Sequence, residues 1–193
     1  MRVIAGTLKG RRLEAPTWEG LRPTSDKLRE TLFNVLAGRL PGAAVLDGYA
    51  GTGAVGIEAL SRGAASVTFV DEDLRAVRLI EANLAHCAVH DRYAIIRARF
   101  ADAATELAGR RFDVIFLDPP YGEPAIAAAL EAGARLLGDT GILILEHARR
   151  DPVPAVAGVL SRTRDLISGD SGLAFYQRPT DLTTNATDKR QPD

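Results

Sequence analysis

The chain has 193 residues, 46% of them hydrophobic and 25% charged, with a formal net charge of −1, which leaves room for one domain with a full-sized core and a small appendage. A single cysteine, Cys87, excludes an internal disulfide framework; the three histidines, His86, His90 and His147, have no metal-ligand spacing, so no metal is expected. The start, Met1 to Gly6, lacks a signal peptide's long apolar run, and no stretch of about 18 apolar residues offers a membrane span, so the expectation is a cytoplasmic protein with no membrane partner.

The small net charge hides an asymmetry. Residues 1–40 carry eight Lys and Arg against four Asp and Glu, and the remainder carries 16 against 21. A basic piece on an acidic body suggests a local site for a polyanion, although a solvated basic face accounts for the charges equally well.

Taken in order, Arg2–Ala5 and Arg11–Glu14 bracket Gly6 to Gly10, a hairpin pattern with Lys9, Arg11 and Arg12 at or near its tip. Residues 16–23 read as irregular. Thr24 or Ser25 then serves as an N-cap for a helix whose apolar positions are Leu28, Leu32, Phe33, Val35 and Leu36, and residues 38–42, with Pro41, end it. From residue 43 short apolar runs alternate with helical patterns. Strands are expected at 43–46, 67–70, 93–98, 112–117 and 141–146, and helices at 54–62, 74–85, 101–108 and 124–137. This succession of βα units implies a parallel sheet covered on both faces. Residues 158–168 and 173–178 are two extended runs joined by a glycine turn, an antiparallel hairpin that completes seven strands. The expected organisation is therefore an N-terminal extension at 1–40, an α/β domain at 41–179 and a polar, disordered tail at 180–193.

The first strand runs into Asp47-Gly-Tyr-Ala-Gly51-Thr52-Gly53-Ala-Val-Gly56, a G-x-G-x-x-G loop opening a helix, and Asp71 ends the second strand. In this βαβ setting the pattern points to an adenosine-containing ligand, with Asp71 placed to accept bonds from ribose hydroxyls. Asp47 discriminates among such ligands. A carboxylate at the strand end repels the pyrophosphate of a nicotinamide dinucleotide but suits the ammonium and sulfonium of S-adenosylmethionine. A tight turn with Asp47 as a cap explains the glycines, but not two acids at successive strand ends. Asp102, after the third strand, is a candidate for the adenine amino group with Ala103 beside the ring; an N-cap role for Asp102 competes.

Asp118-Pro119-Pro120-Tyr121 follows the run Phe112–Leu117, at the strand end where open α/β sheets bind ligands. The exocyclic amino group of a base is a poor nucleophile because its lone pair is delocalised. Acceptors that hold its hydrogens favour rehybridisation, and Asp118 with the Pro119 carbonyl can be such acceptors. The prolines fix their aim, and Tyr121 offers a face for a flipped base. In this scheme Asp118 orients the amine and later takes its proton, without needing a raised pKa. A proline-rich strand terminator is the alternative for these four residues alone.

With both motifs in place, the chain resembles a class I S-adenosylmethionine-dependent methyltransferase, and more narrowly the ribosomal RNA small subunit methyltransferase D family. The resemblance rests on Arg2–Gly6 with Gly10–Leu13, Arg22–Asp26 with Arg29–Asn34, Ala50–Gly53, Glu58–Ala64 and Phe116–Tyr121, and it covers residues 1–178. It implies a Rossmann-like fold and N2-methylation of a guanine in 16S ribosomal RNA, on the 30S subunit or an assembly intermediate, by a monomer. It also implies a donor pocket of Asp47, Gly51, Thr52, Gly53, Asp71, Asp102 and Ala103, and a base site at Asp118, Pro119, Pro120 and Tyr121. RNA contacts are implied at Arg2, Lys9, Arg11, Arg12, Arg22, Thr24 and Arg29. Where the family pattern has a bulky apolar pair after the strand-end Asp, this chain has Gly48-Tyr49, which suggests a looser donor loop. The same tetrapeptide also serves DNA adenine and protein glutamine. A nicotinamide-dependent oxidoreductase and a catalytically silent RNA-binding assembly factor are the readings from other classes.

Overall fold

The computed structural model describes residues 1–18, 26–120 and 123–179. After α1 (Asp26–Leu36) and a 3-10 turn (Ala37–Arg39), strands and helices alternate. They are β1 (Ala44–Asp47), α2 (Ala54–Ser61), β2 (Ser66–Asp71), α3 (Leu74–His86), β3 (Tyr93–Arg97), α4 (Phe100–Glu106), β4 (Phe112–Leu117), α5 (Glu123–Leu136) and β5 (Leu137–Ala148). Three further strands close the chain: β6 (Val156–Ala157), β7 (Leu160–Ser168) and β8 (Ser171–Gln177).

The strand order is β3-β2-β1-β4-β5-β8-β7-β6. β1 to β5 are parallel, β8 pairs antiparallel with β5, and β7 pairs antiparallel with β8. The expected seven strands are present, with the two-residue β6 in addition. The proposed start of the penultimate strand, Gly158, instead has φ +60 and lies between β6 and β7.

The central strands are mostly apolar because both of their faces are covered. Val45, Phe69, Val114, Phe116, Ile142 and Ile144 face one core with α1, α2, α3 and the N-terminal residues Val3 and Leu13. Their neighbours Leu46, Val70, Ile115, Leu117, Leu143 and Leu145 face a second core with α4 and α5. The two-residue period of the strands thus sorts adjacent side chains to opposite layers.

The N-terminal hairpin is shorter than its pattern suggests. Arg2 and Arg12 form one antiparallel bridge, flanked by bonds from Val3 N–H to Arg11 O and Gly10 N–H to Val3 O, both 2.9 Å. Residues 4–8 leave the pairing because α2 takes their donors. Ile4 and Ala5 N–H groups donate to the Glu58 carboxylate at 2.7 and 3.0 Å, and Leu8 N–H donates to Ser61 Oγ at 2.9 Å. Glu58 is fully buried and also accepts from Arg62 at 2.7 Å, so its charge is compensated from two directions. The proposed N-cap residues Thr24 and Ser25 and the tail 180–193 lie outside the described residues.

Candidate active site

β1 has β2 on one side and β4 on the other, so successive chain connections leave it in opposite directions and open a crevice at the carboxyl ends of β1 and β4. Asp47 ends β1, and Asp118 directly follows β4. Both parallel neighbours of β1 bring acids to the same edge, because Asp71 ends β2.

The glycine loop is held by backbone bonds to its neighbours. Gly48 N–H donates to Phe116 O at 2.8 Å, Ala50 N–H to Val70 O at 3.0 Å and Gly53 N–H to Ala50 O at 2.7 Å. Gly51 N–H donates to Asp71 Oδ2 at 2.8 Å, while Asp71 Oδ1 accepts from Asp73 N–H at 2.9 Å. Each Asp71 oxygen keeps lone-pair capacity for a ligand hydroxyl. Gly56 serves packing and electrostatics together. A Cβ there would stand 2.2 Å from the Phe69 ring, and its N–H donates to Asp47 Oδ2 at 3.0 Å. Thr52 is buried, and its carbonyl accepts from Asn83 Nδ2 at 2.9 Å. Asn83 Oδ1 in turn accepts from Glu14 N–H at 2.7 Å, which ties the N-terminal segment to the loop.

Gly48 and Tyr49 are both closely packed in this loop. A Cβ on Gly48 would lie 2.5 Å from Leu117 Cδ2 and 2.8 Å from Phe100 Cε2, so neighbouring side chains already fill that space. Tyr49 packs on Phe100 with ring centroids 5.3 Å apart. Burial, followed by the Glu72 charge, pushes the Tyr49 hydroxyl up to about 12, so it stays neutral.

Asp47 is 1% exposed. Burial raises its pKa to about 7, the Gly56 bond opposes the rise, and the Asp71 charge adds to it. Asp118 is also raised well above the carboxylate range, first by burial and then by the charges of Glu146 and Asp47. The expectation of an Asp118 without a raised pKa is thereby corrected: nothing in the linear chain signals that Asp47, Asp118 and Glu146 lie close enough for their charges to interact. Among the described residues, neither Asp47 nor Asp118 has an ion-pair partner. A buried carboxylate of this kind gains from a cation entering the crevice.

Glu146 is the residue that sequence reasoning missed. It sits near the end of β5, 8% exposed, and its significance depends on which strand lies next to β4. The only linear signal is an acid ending an apolar strand, the signal already used at Asp47 and Asp71. Pro119 and Pro120 follow Asp118 as expected, while Tyr121 lies outside the described residues. Among the described residues, no group of three or more His, Cys, Asp or Glu is arranged to hold a metal ion.

The remaining candidates are more dispersed. Asp102 is exposed in the first turn of α4 and paired with Arg99 at 2.8 Å; Arg99, not Asp102, occupies the N-cap position. Ala103 is fully buried beneath it. Arg2, Lys9, Arg11 and Arg12 are exposed, and Arg2, Lys9 and Lys27 line a concavity of about 310 Å³ with Asp26 and Glu30. Gly42 N–H donates to Gly63 O and Ala65 N–H to Ala43 O, which puts the end of α2 at the amino ends of the strands. Residues 5–8, bound at Ser61, therefore lie roughly 12 Å along α2 from the glycine loop, from its eight residues.

Arg29 is not a surface contact. It is 0% exposed, and its Nη2 donates to Arg2 O and, at 3.0 Å, to Asp26 Oδ1. Burial lowers its pKa, with Asp26 and Glu58 opposing. The helical spacing already marks it, since Arg29 lies four residues before Phe33 and seven before Leu36 on the apolar stripe. Arg22 and Thr24 lie outside the described residues.

Known proteins resemble this chain in sequence and in fold. The family described as "Conserved hypothetical protein 95" matches residues 1–177. "Ribosomal RNA small subunit methyltransferase D" of Escherichia coli K12 is 34% identical over 184 residues, covering 92% of this chain and 90% of that protein. The chain belongs to the ribosomal RNA small subunit methyltransferase D family. A second member, "Putative rRNA methyltransferase YlbH" of Bacillus subtilis, is 38% identical over 183 residues, covering 92% of this chain and 99% of that protein. Among solved structures, "Putative methyltransferase yhhF from Escherichia coli" superposes with a TM-score of 0.82 at 32% identity, covering 92% of this chain and 97% of that one. One of these two curated relatives is named as a ribosomal RNA methyltransferase and the other as a putative one.

Proposed function

We propose that this chain transfers the methyl group of S-adenosylmethionine to the exocyclic N2 amino group of one guanine in 16S ribosomal RNA, acting on the 30S subunit or an assembly intermediate. The observation that carries this reading is the pair of acids, the buried Asp47 and the half-buried Asp118, at the carboxyl ends of adjacent strands, with the glycine loop on one side and two prolines on the other. The relatives' names supply the ribosomal RNA, and the family resemblance supplies the guanine.

The residues fit such a donor. Asp47 is a buried carboxylate with no cation beside it among the described residues, so it favours a ligand bearing an ammonium or sulfonium and disfavours a pyrophosphate. Gly51 and Gly53 let the backbone approach closely, Asp71 accepts from the ribose hydroxyls, and Asp102 with Ala103 lies toward the adenine. When bound, the donor supplies an electrophilic methyl carbon on a positive sulfur, which departs as a neutral thioether. On the acceptor side, Asp118 and the Pro119 carbonyl hold the amine hydrogens, so that the nitrogen lone pair leaves conjugation with the ring. After methylation the nitrogen carries one proton too many, and Asp118 takes it when ionised. Tyr121 stacks on the base, and the exposed Arg2, Lys9, Arg11 and Arg12 hold RNA phosphates along the α1–α2 side.

The test is uptake of labelled methyl from S-adenosylmethionine by 30S subunits from cells lacking the enzyme. The wild-type chain should label them. Asp118→Ala should bind the donor with an affinity within a few-fold of wild type and lower the transfer rate by about 10²-fold or more. Undiminished transfer by that variant would remove Asp118 from the mechanism.

A further inference from the structure

The buried stripe of α3 carries one amide among its apolar residues. Leu79, Ile80, Asn83 and Leu84 follow at helical spacing, and Asn83 is 0% exposed. Ile80 backs the glycine loop, since a Cβ on Gly53 would stand 3.2 Å from its Cγ1. One turn on, Asn83 meets both Thr52 of that loop and Glu14 of the N-terminal segment. Its Nδ2 donates to Thr52 O at 2.9 Å and to Glu14 O at 3.3 Å, and its Oδ1 accepts from Glu14 N–H at 2.7 Å. Chemistry fixes this orientation, because a backbone N–H can face only the amide oxygen and a carbonyl only the amide nitrogen. The segment then runs along α3 toward the carboxyl edge of the sheet. The Trp18 ring lies 5.1 Å from the guanidinium of Arg75, which precedes Asn83 by about 12 Å of helix. Arg75 pairs with Asp73 at 2.6 Å, and Asp73 N–H donates to Asp71 Oδ1. Glu14 and Trp18 thus touch the supports of the glycine loop and of Asp71, two parts of the candidate donor pocket.

We propose that Asn83 is a positioning residue for S-adenosylmethionine binding, which makes the backbone of the N-terminal segment at Glu14 part of the support of the donor loop. This rests on the methyl-transfer reading above and on its donor pocket. Thr52 stands between Gly51, whose N–H bonds to Asp71, and Gly53, which caps α2. Glycines on both sides leave the intervening peptide planes free to rotate unless something holds them. Gly53 N–H is held within the loop by Ala50 O, and the Thr52 carbonyl is held from outside it by Asn83. Glu14 grips the same amide through two backbone bonds, so the hold on Thr52 depends on the docking of residue 14. The exposed Arg11 and Arg12, assigned above to RNA phosphates, lie three and two positions earlier. One side chain therefore joins the RNA-contacting segment to the donor loop.

The experiment measures S-adenosylmethionine affinity by calorimetry, and steady-state methyl transfer to 30S subunits, in full-length variants. Asn83→Leu keeps the volume but loses every bond of the amide. Glu14→Pro removes only the N–H that the amide oxygen accepts, and Glu14→Ala, which keeps that N–H, is its reference. Donor binding should weaken about tenfold or more in Asn83→Leu, and about threefold or more in Glu14→Pro relative to Glu14→Ala. The KM for S-adenosylmethionine should rise by similar factors, with kcat at saturating donor within about twofold of wild type, because Asp118 and the prolines are untouched. Combining Asn83→Leu with Glu14→Pro should weaken binding by less than about twofold beyond Asn83→Leu alone, since both break one chain of bonds. Equal donor affinity in Glu14→Pro and Glu14→Ala overturns the proposal, because the loop would then be held without the segment. Effects that multiply in the double variant overturn it as well. Should Glu14→Pro fail to fold, an Asn83→Leu protein with an unchanged KM for the donor, or with kcat lost alongside it, overturns the proposal. Affinities ordered as expected, with no methyl transfer by wild type, would instead count against the methyl-transfer reading and leave the role of Asn83 standing.

Discussion

Replacing Asp47 by asparagine tests the electrostatics of the donor site through stability and binding together. The amide keeps an oxygen for the Gly56 N–H and nearly the same volume, but it cannot ionise. In wild type the folded-state pKa is raised from 3.8 to about 7. Between those values the native chain holds a proton that the unfolded chain has lost, so this group lowers stability progressively as pH rises and reaches its full cost above pH 7. Three units at about 1.4 kcal/mol each give roughly 4 kcal/mol as an upper figure. Of this, on the order of 2–3 kcal/mol develops between pH 5 and pH 8. Denaturant unfolding of both proteins at the two pH values should therefore show the advantage of the Asp47→Asn variant growing by about that amount, with unchanged slopes. Calorimetry should show the opposite trend for the donor, with S-adenosylmethionine binding lost or weakened about tenfold or more in the variant. In wild type, affinity should fall about tenfold per pH unit below 7, because the cation requires the ionised form. A stability gap between variant and wild type that is the same at pH 5 and pH 8 would refute the assignment of a costly buried charge to Asp47.

Two glycines of the N-terminal segment share a backbone conformation but not a neighbourhood. Gly6 has φ +83 and a Cβ there would meet Ser61 O at 1.9 Å, whereas Gly10 has φ +84 and open space. Gly6→Ala should cost about 1 kcal/mol more than Gly10→Ala, whose cost is the roughly 1–2 kcal/mol of left-handed strain alone, and should expose residues 1–13 to limited proteolysis. Equal melting temperatures for the two variants would show that the segment is not docked on α2 as described.

Much of the fold is legible in the chain because its central strands are covered on both faces, whereas helices such as α1 and α3 bury one stripe. Continuous runs such as Val114–Leu117 and Leu143–Leu145 stand out against helices with one apolar stripe, and the glycine loop marks where the first crossover begins. What escaped the linear reading depends on contacts between distant residues. The hairpin stops at its single bridge because Glu58 and Ser61, more than 50 positions away, take the N–H groups that a longer ladder would need. Arg29 is buried because the chain's own second residue offers it a carbonyl. Glu146 joins Asp118 only through the register of β4 on β5. Asp47 and Asp71 could be read directly because each closes a strand beside the recognisable loop, and Asp118 because its prolines mark it.

The most direct measurement of the central claim is the identity of the modified nucleoside. 30S subunits and naked 16S ribosomal RNA from cells lacking the enzyme are incubated with the protein and isotope-labelled S-adenosylmethionine, digested to nucleosides and resolved by mass spectrometry. The account predicts label in N2-methylguanosine, close to one per particle and at a single position. Label confined to N6-methyladenosine, or none in either substrate under conditions where the protein binds the donor, would contradict it.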